Sequence, residues 1–103
     1  MKLFDCHTHL FEYPRDEITE ILDRAQDSGV AGAILAGTTI ETSRKSIELA
    51  NQDTRLFAGV GIHPMDIEKQ PRYENIDEIR QMLHEPRVVA ISEVGLDGME
   101  GAP

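Results

Sequence analysis

The chain is poor in cysteine and in positive charge, and each shortage excludes something. With a single cysteine, Cys6, no internal disulfide can form, which fits a reducing compartment and predicts a cytoplasmic protein. Cys6 itself reads as a small buried hydrophobe rather than a reactive thiol. Ten Lys and Arg stand against 19 Asp and Glu, a formal charge of −9. The basic footprint that drives non-specific nucleic-acid binding by counterion release is therefore missing. Were the substrate a phosphodiester, metal ions would have to supply the local positive charge. Long apolar runs are absent too: "VAGAILAG" and "LFAGVGI" are far too short to span a bilayer. The start "MKLFDCHTHL" carries Asp and His inside its apolar stretch and does not read as a signal peptide. No Gly-rich phosphate loop precedes a helix, and no Ser, Thr or Cys has a triad setting.

What is present alternates with a regular period. Four short apolar stretches, over 2–9, 30–37, 56–63 and 88–95, read as buried strands. Between them, "DEITEILDRAQDSG" places Ile18, Ile21, Leu22 and Ala25 at helical spacing, with Gly29 as its stop. "TSRKSIELANQ" gives a weaker stripe through Ile47, Leu49 and Ala50. "NIDEIRQMLHEP" carries Ile76, Ile79, Met82 and Leu83 on one face, with Asn75 as a cap and Pro86 as the end. The order βαβαβαβ with near-continuously apolar strands predicts an α/β fold on a parallel sheet covered by helices. Strand starts recur about every 30 residues, the spacing of a (β/α)₈ barrel of roughly 250 residues. The expectation is a single domain over 1–103 of parallel TIM-barrel type, comprising roughly the first four strands and three helices of a barrel. Self-association through its open sheet edges is expected.

The polar residues inside the strands carry the chemistry. In "LFDCHTHLF", strict alternation would put Asp5, His7 and His9 on one face and Phe4, Cys6, Thr8 and Leu10 on the other. In "LFAGVGIH", Leu56, Ala58, Val60 and Ile62 share one face; Phe57, Gly59, Gly61 and His63 share the other. The two glycines leave space where something must approach the backbone. In "VVAISEVG", Val89, Ile91, Glu93 and Gly95 share a face, which groups Glu93 with His7, His9 and His63. All four then lie at the carboxyl ends of strands, where sites are built in parallel α/β sheets and barrels. His84, near the predicted end of the third helix, suits a helix-dipole contact instead. Two imidazoles and a carboxylate are good ligands for a first-row divalent metal, which can lower the pKa of bound water and deliver hydroxide. Asp5 either orients a ligating imidazole or bonds the backbone.

"DCHTHL", "GVGIHP" and "VVAISEVGLD", in this order and spacing, resemble the TatD family of metal-dependent deoxyribonucleases, within the amidohydrolase-like TIM barrels. The resemblance implies that His7 and His9 ligate a first divalent ion and that Glu93 bridges two. It places His63 beside the phosphate-binding pocket, with Glu93 and His63 as the catalytic residues. It further implies DNA as substrate, cleaved at phosphodiester bonds by metal-activated water with Mg²⁺, Mn²⁺ or Zn²⁺, and no membrane partner. Gly98 stands where an aromatic is usual, Ser92 where Gly is common, and Cys6 where Ser is common. Family members carry two further histidines and an aspartate on later strands, so this chain is expected to be incomplete and inactive alone. Two other readings are a related metallohydrolase acting on C–N or ester bonds, and a non-catalytic half-barrel.

Overall fold

In the computed structural model, which describes residues 1–69 and 74–102, the elements follow the expected order. They are β1 (Leu3–Thr8), α1 (Arg15–Asp27), β2 (Val30–Ala36), α2 (Ile40–Gln52), β3 (Leu56–Val60), α3 (Glu74–Met82) and β4 (Val88–Ile91). Short 3₁₀ turns occupy Leu10–Glu12 and Pro64–Lys69. The strands form one sheet in the order β1-β2-β3-β4, with every pair parallel. No described helix is long and apolar enough to cross a membrane.

Helix limits follow local chemistry. Pro14, with φ −59°, precedes α1, whose first turn carries Asp16 and Glu17 where the helix dipole favours negative charge. Gly29, at φ 95°, takes the left-handed conformation just past its end. α2 starts at Ile40, two residues before the predicted stretch, because Thr39 and Thr42 cap each other reciprocally. Thr replaces the usual Glu or Gln of that box, so the start signal is easily missed. α3 ends at Met82, well before Pro86: Leu83 N–H bonds Ile79 C=O, but His84 N–H bonds Gln81 C=O, tightening the turn. His84 therefore lies exposed beyond the helix rather than on it. Asn75 falls inside α3, and its side chain lies outside the described residues, as does the segment 70–73.

The core lies between the sheet and the helices. Ala33, Leu35, Leu56 and Ala58 pack against Ile18 and Leu22 of α1 and Leu49 and Ala50 of α2. Val60, Ile40 and Met82 form a second cluster toward α3. On the opposite face the rings of Phe4 and Phe57 meet at 5.8 Å, and the Arg87 guanidinium lies 4.2 Å over Phe57.

Two irregularities revise the face assignments. Asp5 pairs with Ala33 and Thr8 with Leu35, so three steps along β1 match two along β2. One residue is extra, a bulge. Both partners belong to the core face, so Asp5 lies on the α1 side, where it and Thr8 line a depression with Ile21, Leu22 and Ala25. His7 and His9 lie on the other side. The expectation that Asp5 shares their face is thereby corrected. In β4, Val88 pairs with Ala58 but Ala90 with Gly59 and Ile91 with Val60, again one residue extra. Ile91 thus belongs to the α3 side, where it lines a groove with Ile76, Ile79 and Leu83. It does not share a face with Gly59.

Each strand ends before its predicted carboxyl end, and just past β3 a side chain takes over the backbone. Ser43, fully buried on α2, donates to Gly61 C=O at 3.2 Å and accepts from Gly61 N–H at 3.1 Å. A Ser43→Ala variant leaves both groups of the buried Gly61 without that partner. It is expected to lose about 1–3 kcal/mol in urea unfolding.

At the amino-terminal end of β3, Asp53 receives Arg55 through Nε at 3.0 Å and Nη2 at 2.8 Å, and through the Arg55 backbone N–H at 2.9 Å. The guanidinium also reaches Asp23 at 2.8 Å. The Arg55 hydrogen bonds hold the Asp53 carboxyl below its ordinary value of 3.8, against a smaller opposing effect of burial. A depressed folded-state value means that this stabilisation is present above the unfolded value and is lost as pH falls through the folded one. Asp53→Asn is expected to flatten the stability profile below about pH 4 while lowering stability at pH 7. Urea midpoints taken between pH 7 and pH 3 would show it.

Candidate metal centre

β1 delivers two imidazoles at its carboxyl end. His9 follows the strand and opens the 3₁₀ turn whose Phe11 is buried, so its ring is wedged edge-on against Phe11, with centroids 5.6 Å apart. Its Nδ1 lies 3.1 Å from the Ala36 carbonyl. A carbonyl only accepts, so Nδ1 carries the proton and Nε2 is left as a free lone pair. That is the arrangement in which an outer partner orients a metal-ligating histidine. His7 packs edge-on against His9 at 5.0 Å.

Glu93 comes from the opposite edge strand, two residues past the end of β4. Its Oε1 lies 3.3 Å from His7 Nε2, and its side chain is largely buried at 18% exposure against 56% for His7. One ligand atom each from His7, His9 and Glu93 lie within 4.8 Å of one another. A cation held at roughly 2 Å from each atom would draw them to within about 4 Å of one another, a small adjustment of the side chains, and three protein ligands leave positions open for water.

The route by which Glu93 arrives differs from strand alternation. A Cβ on Gly61 would lie 2.7 Å from Glu93 N, and one on Gly59 would lie 2.8 Å from Ser92 Cβ. The space left by Gly59 in β3 and Gly61 just beyond it is thus filled by the chain itself. Ile62 N–H donates to Glu93 C=O at 3.0 Å, and Ser92 N–H to Val60 C=O at 2.9 Å.

The other polar candidates stand apart from the triangle. His63 sits beyond β3 at the same end of the sheet, with its N–H on Thr38 C=O at 2.8 Å. Its Nδ1 accepts from Met65 N–H at 3.1 Å, which directs the ring proton to Nε2. Asp5 accepts His7 N–H at 3.1 Å, so of its two expected roles the structure shows the backbone bond. Cys6 is free and exposed, not buried as its residue type suggests, because it lies within the bulged stretch of an edge strand. Ser92 and the Ala36 carbonyl went unread as site components. The glycine spacing of β3 was the available signal for the first, and a backbone acceptor has none.

A family model described as TatD related DNase matches residues 4–102. The chain belongs to the TatD-related DNase family. Relatives of TatD type include the 3′-5′ ssDNA/RNA exonuclease TatD of Enterobacter lignolyticus, 34% identical over 97 residues, covering 92% of this chain and 36% of the relative. The uncharacterised metal-dependent hydrolase YabD of Bacillus subtilis is 30% identical, with 92% and 37% covered. Among solved structures, the TatD homologue YjjV of Escherichia coli K12 superimposes with a TM-score of 0.83 at 29% identity, covering 96% of this chain and 39% of that one. A TatD-family hydrolase of Entamoeba histolytica shares the fold at a TM-score of 0.79 and 23% identity. The chain thus spans a little over a third of the length of the TatD relatives it matches. Its four parallel strands take the α/β arrangement of those proteins.

Proposed function

We propose that this chain supplies a divalent-metal cluster, His7, His9 and Glu93, to a hydrolase acting on nucleic-acid phosphodiesters. The convergence of those three side chains carries the reading, and the names of the TatD relatives support the substrate class. Residues 1–103 are read as one domain built on roughly the first four strands and three helices of a TIM-type barrel, working in the cytoplasm. His9 would bind through Nε2, its ring fixed by Ala36. His7 would bind through Nε2, the atom that lies 3.3 Å from Glu93 Oε1, with its ring proton on Nδ1. Glu93, its side chain largely buried, would bind through its carboxylate and hold attacking water near the site. When bound, the ion supplies Lewis acidity and a water of lowered pKa. His63, with its Nε2–H free of the Met65 contact, would donate toward a substrate phosphate oxygen. The acidic surface makes the cation the local source of positive charge for a polyanion.

Calorimetric titration with Mn²⁺ tests the metal site directly. Stoichiometric binding is expected in the chain, with no such binding in Glu93→Ala; a wild-type chain that takes up no Mn²⁺ at millimolar concentration would overturn the reading. In-line displacement by two ions needs both held about 3.5–4 Å apart, and the described residues offer one cluster of three. Purified chain is therefore expected to release little nucleotide from a labelled single-stranded oligonucleotide.

The reading includes self-association. β1 and β4 are edge strands of the described sheet, and Phe4, Val89 and Ile91 on them are exposed. Light scattering at micromolar concentration is expected to show species larger than one chain, diminished by a Val89→Lys substitution on the edge.

A further inference from the structure

The triangle draws its ligands from the two outer strands of a four-stranded sheet, and nothing in strand pairing alone relates one edge to the other. What relates them is the exit of β2. The Ala36 carbonyl accepts His9 Nδ1–H at 3.1 Å. The next carbonyl, Gly37, accepts Ser92 Oγ–H at 2.7 Å. Consecutive carbonyls of an extended segment point to opposite sides. One therefore reaches toward β1, the other across β3 toward β4. The crossing is long: Ser92 spans from β4 over β3 to a residue beyond β2. It succeeds because Gly59 has no side chain beneath it, a Cβ there being 2.8 Å from Ser92 Cβ. Gly37 is itself anchored, its N–H donating to Gly59 C=O at 3.0 Å.

We propose that Ser92 is a positioning residue for Glu93, and that the Ala36–Gly37 dipeptide is the common mount that fixes both halves of the cluster. Without the Ser92 hydroxyl, the segment that carries Glu93 is held by backbone bonds to Val60 and Ile62 at the end of an edge strand. Glu93 then reaches His7 as one of several positions instead of a fixed one. The placement of Glu93 stands on geometry alone; its consequence for a cation rests on the metal reading above.

The test is Ser92→Ala followed by amide hydrogen exchange and Mn²⁺ titration. The amides of Ile62 and Ser92, which bond Glu93 C=O and Val60 C=O, are expected to exchange at least about tenfold faster. The Ala58 amide, bonded to Arg87 C=O deeper in the sheet, should keep its rate. Mn²⁺ affinity should fall by about 10-fold, the lower end of the effect of removing an outer-shell partner. A Leu22→Val variant, matched for overall stability and remote from the site, should leave both readouts unchanged. Gly59→Ala should reproduce the Ser92→Ala effect by displacing the serine, and the pair should be non-additive. Unchanged Ile62 exchange in Ser92→Ala, or uniform acceleration across the sheet, would overturn the proposal. A wild-type chain that takes up no Mn²⁺ would defeat the metal reading, and the exchange data would still decide the role of Ser92.

Discussion

A His9→Ala chain is expected to lose divalent-metal binding by on the order of 100-fold or more while keeping its fold. Outer partners of a metal ligand typically matter by 10–100-fold, and His9 is proposed as a ligand itself. Its ring is the best prepared of the three: Ala36 fixes the tautomer, and Phe11 fixes the plane. The fold should survive because His9 is only half-buried and lies beyond the sheet ladder. His63→Ala is the informative contrast. His63 stands outside the triangle, so its loss should leave the Mn²⁺ titration as in the wild type. Equal losses in the two variants would show that the triangle is not the binding site.

Leu35→Ala is expected to have the largest effect on stability, about 3–4 kcal/mol, within the usual range for a core leucine truncation. Leu35 has 0% exposure and sits on β2 with both strand neighbours filled, Thr8 on one side and Ala58 on the other. Ile18 and Leu22 from α1 and Leu49 and Ala50 from α2 belong to the same cluster. With so many fixed neighbours, the site has little scope to collapse around the void. Small domains are stable by roughly 5–15 kcal/mol in all, so this one truncation removes a substantial share. Urea denaturation of Leu35→Ala beside Ile91→Ala makes the comparison, since Ile91 is 57% exposed and should cost less than about 1 kcal/mol.

The elements were legible because they rest on periodicity. α1 appears where Ile18, Ile21, Leu22 and Ala25 recur at helical spacing, and β3 where Leu56, Ala58 and Val60 alternate with Phe57 and Gly59. The membership of the triangle was legible for a simpler reason: His7, His9 and Glu93 are polar residues inside apolar strands, at one end of the sheet. The reasoning that grouped them was only partly right. It assumed unbroken alternation, and each edge strand contains an extra residue that reverses it. A bulge formed by ordinary residues such as Cys6 and Val89 leaves no mark on the pattern of apolar and polar positions. Asp5 was misplaced for that reason, and Ile91 with it. Glu93 reached the histidines by passing over Gly61 after its strand had ended, so the glycines that seemed to make room for a ligand make room for Ser92 and Glu93.

The extra residue in β1 also makes that strand tolerant of a change in length at one point. Cys6 can be exchanged for another small residue with little effect, since it is exposed and its thiol is free. Removing it leaves two steps from Asp5 to Thr8 against the two from Ala33 to Leu35, so both pairs can keep their partners, Phe4 stays opposite Gly32, and the imidazoles keep their side of the sheet. In a scan of β1 that combines substitutions with single-residue deletions, position 6 should be among the most permissive to either change. The residue there is surplus to the ladder, and neither its identity nor its presence sets where the histidines stand.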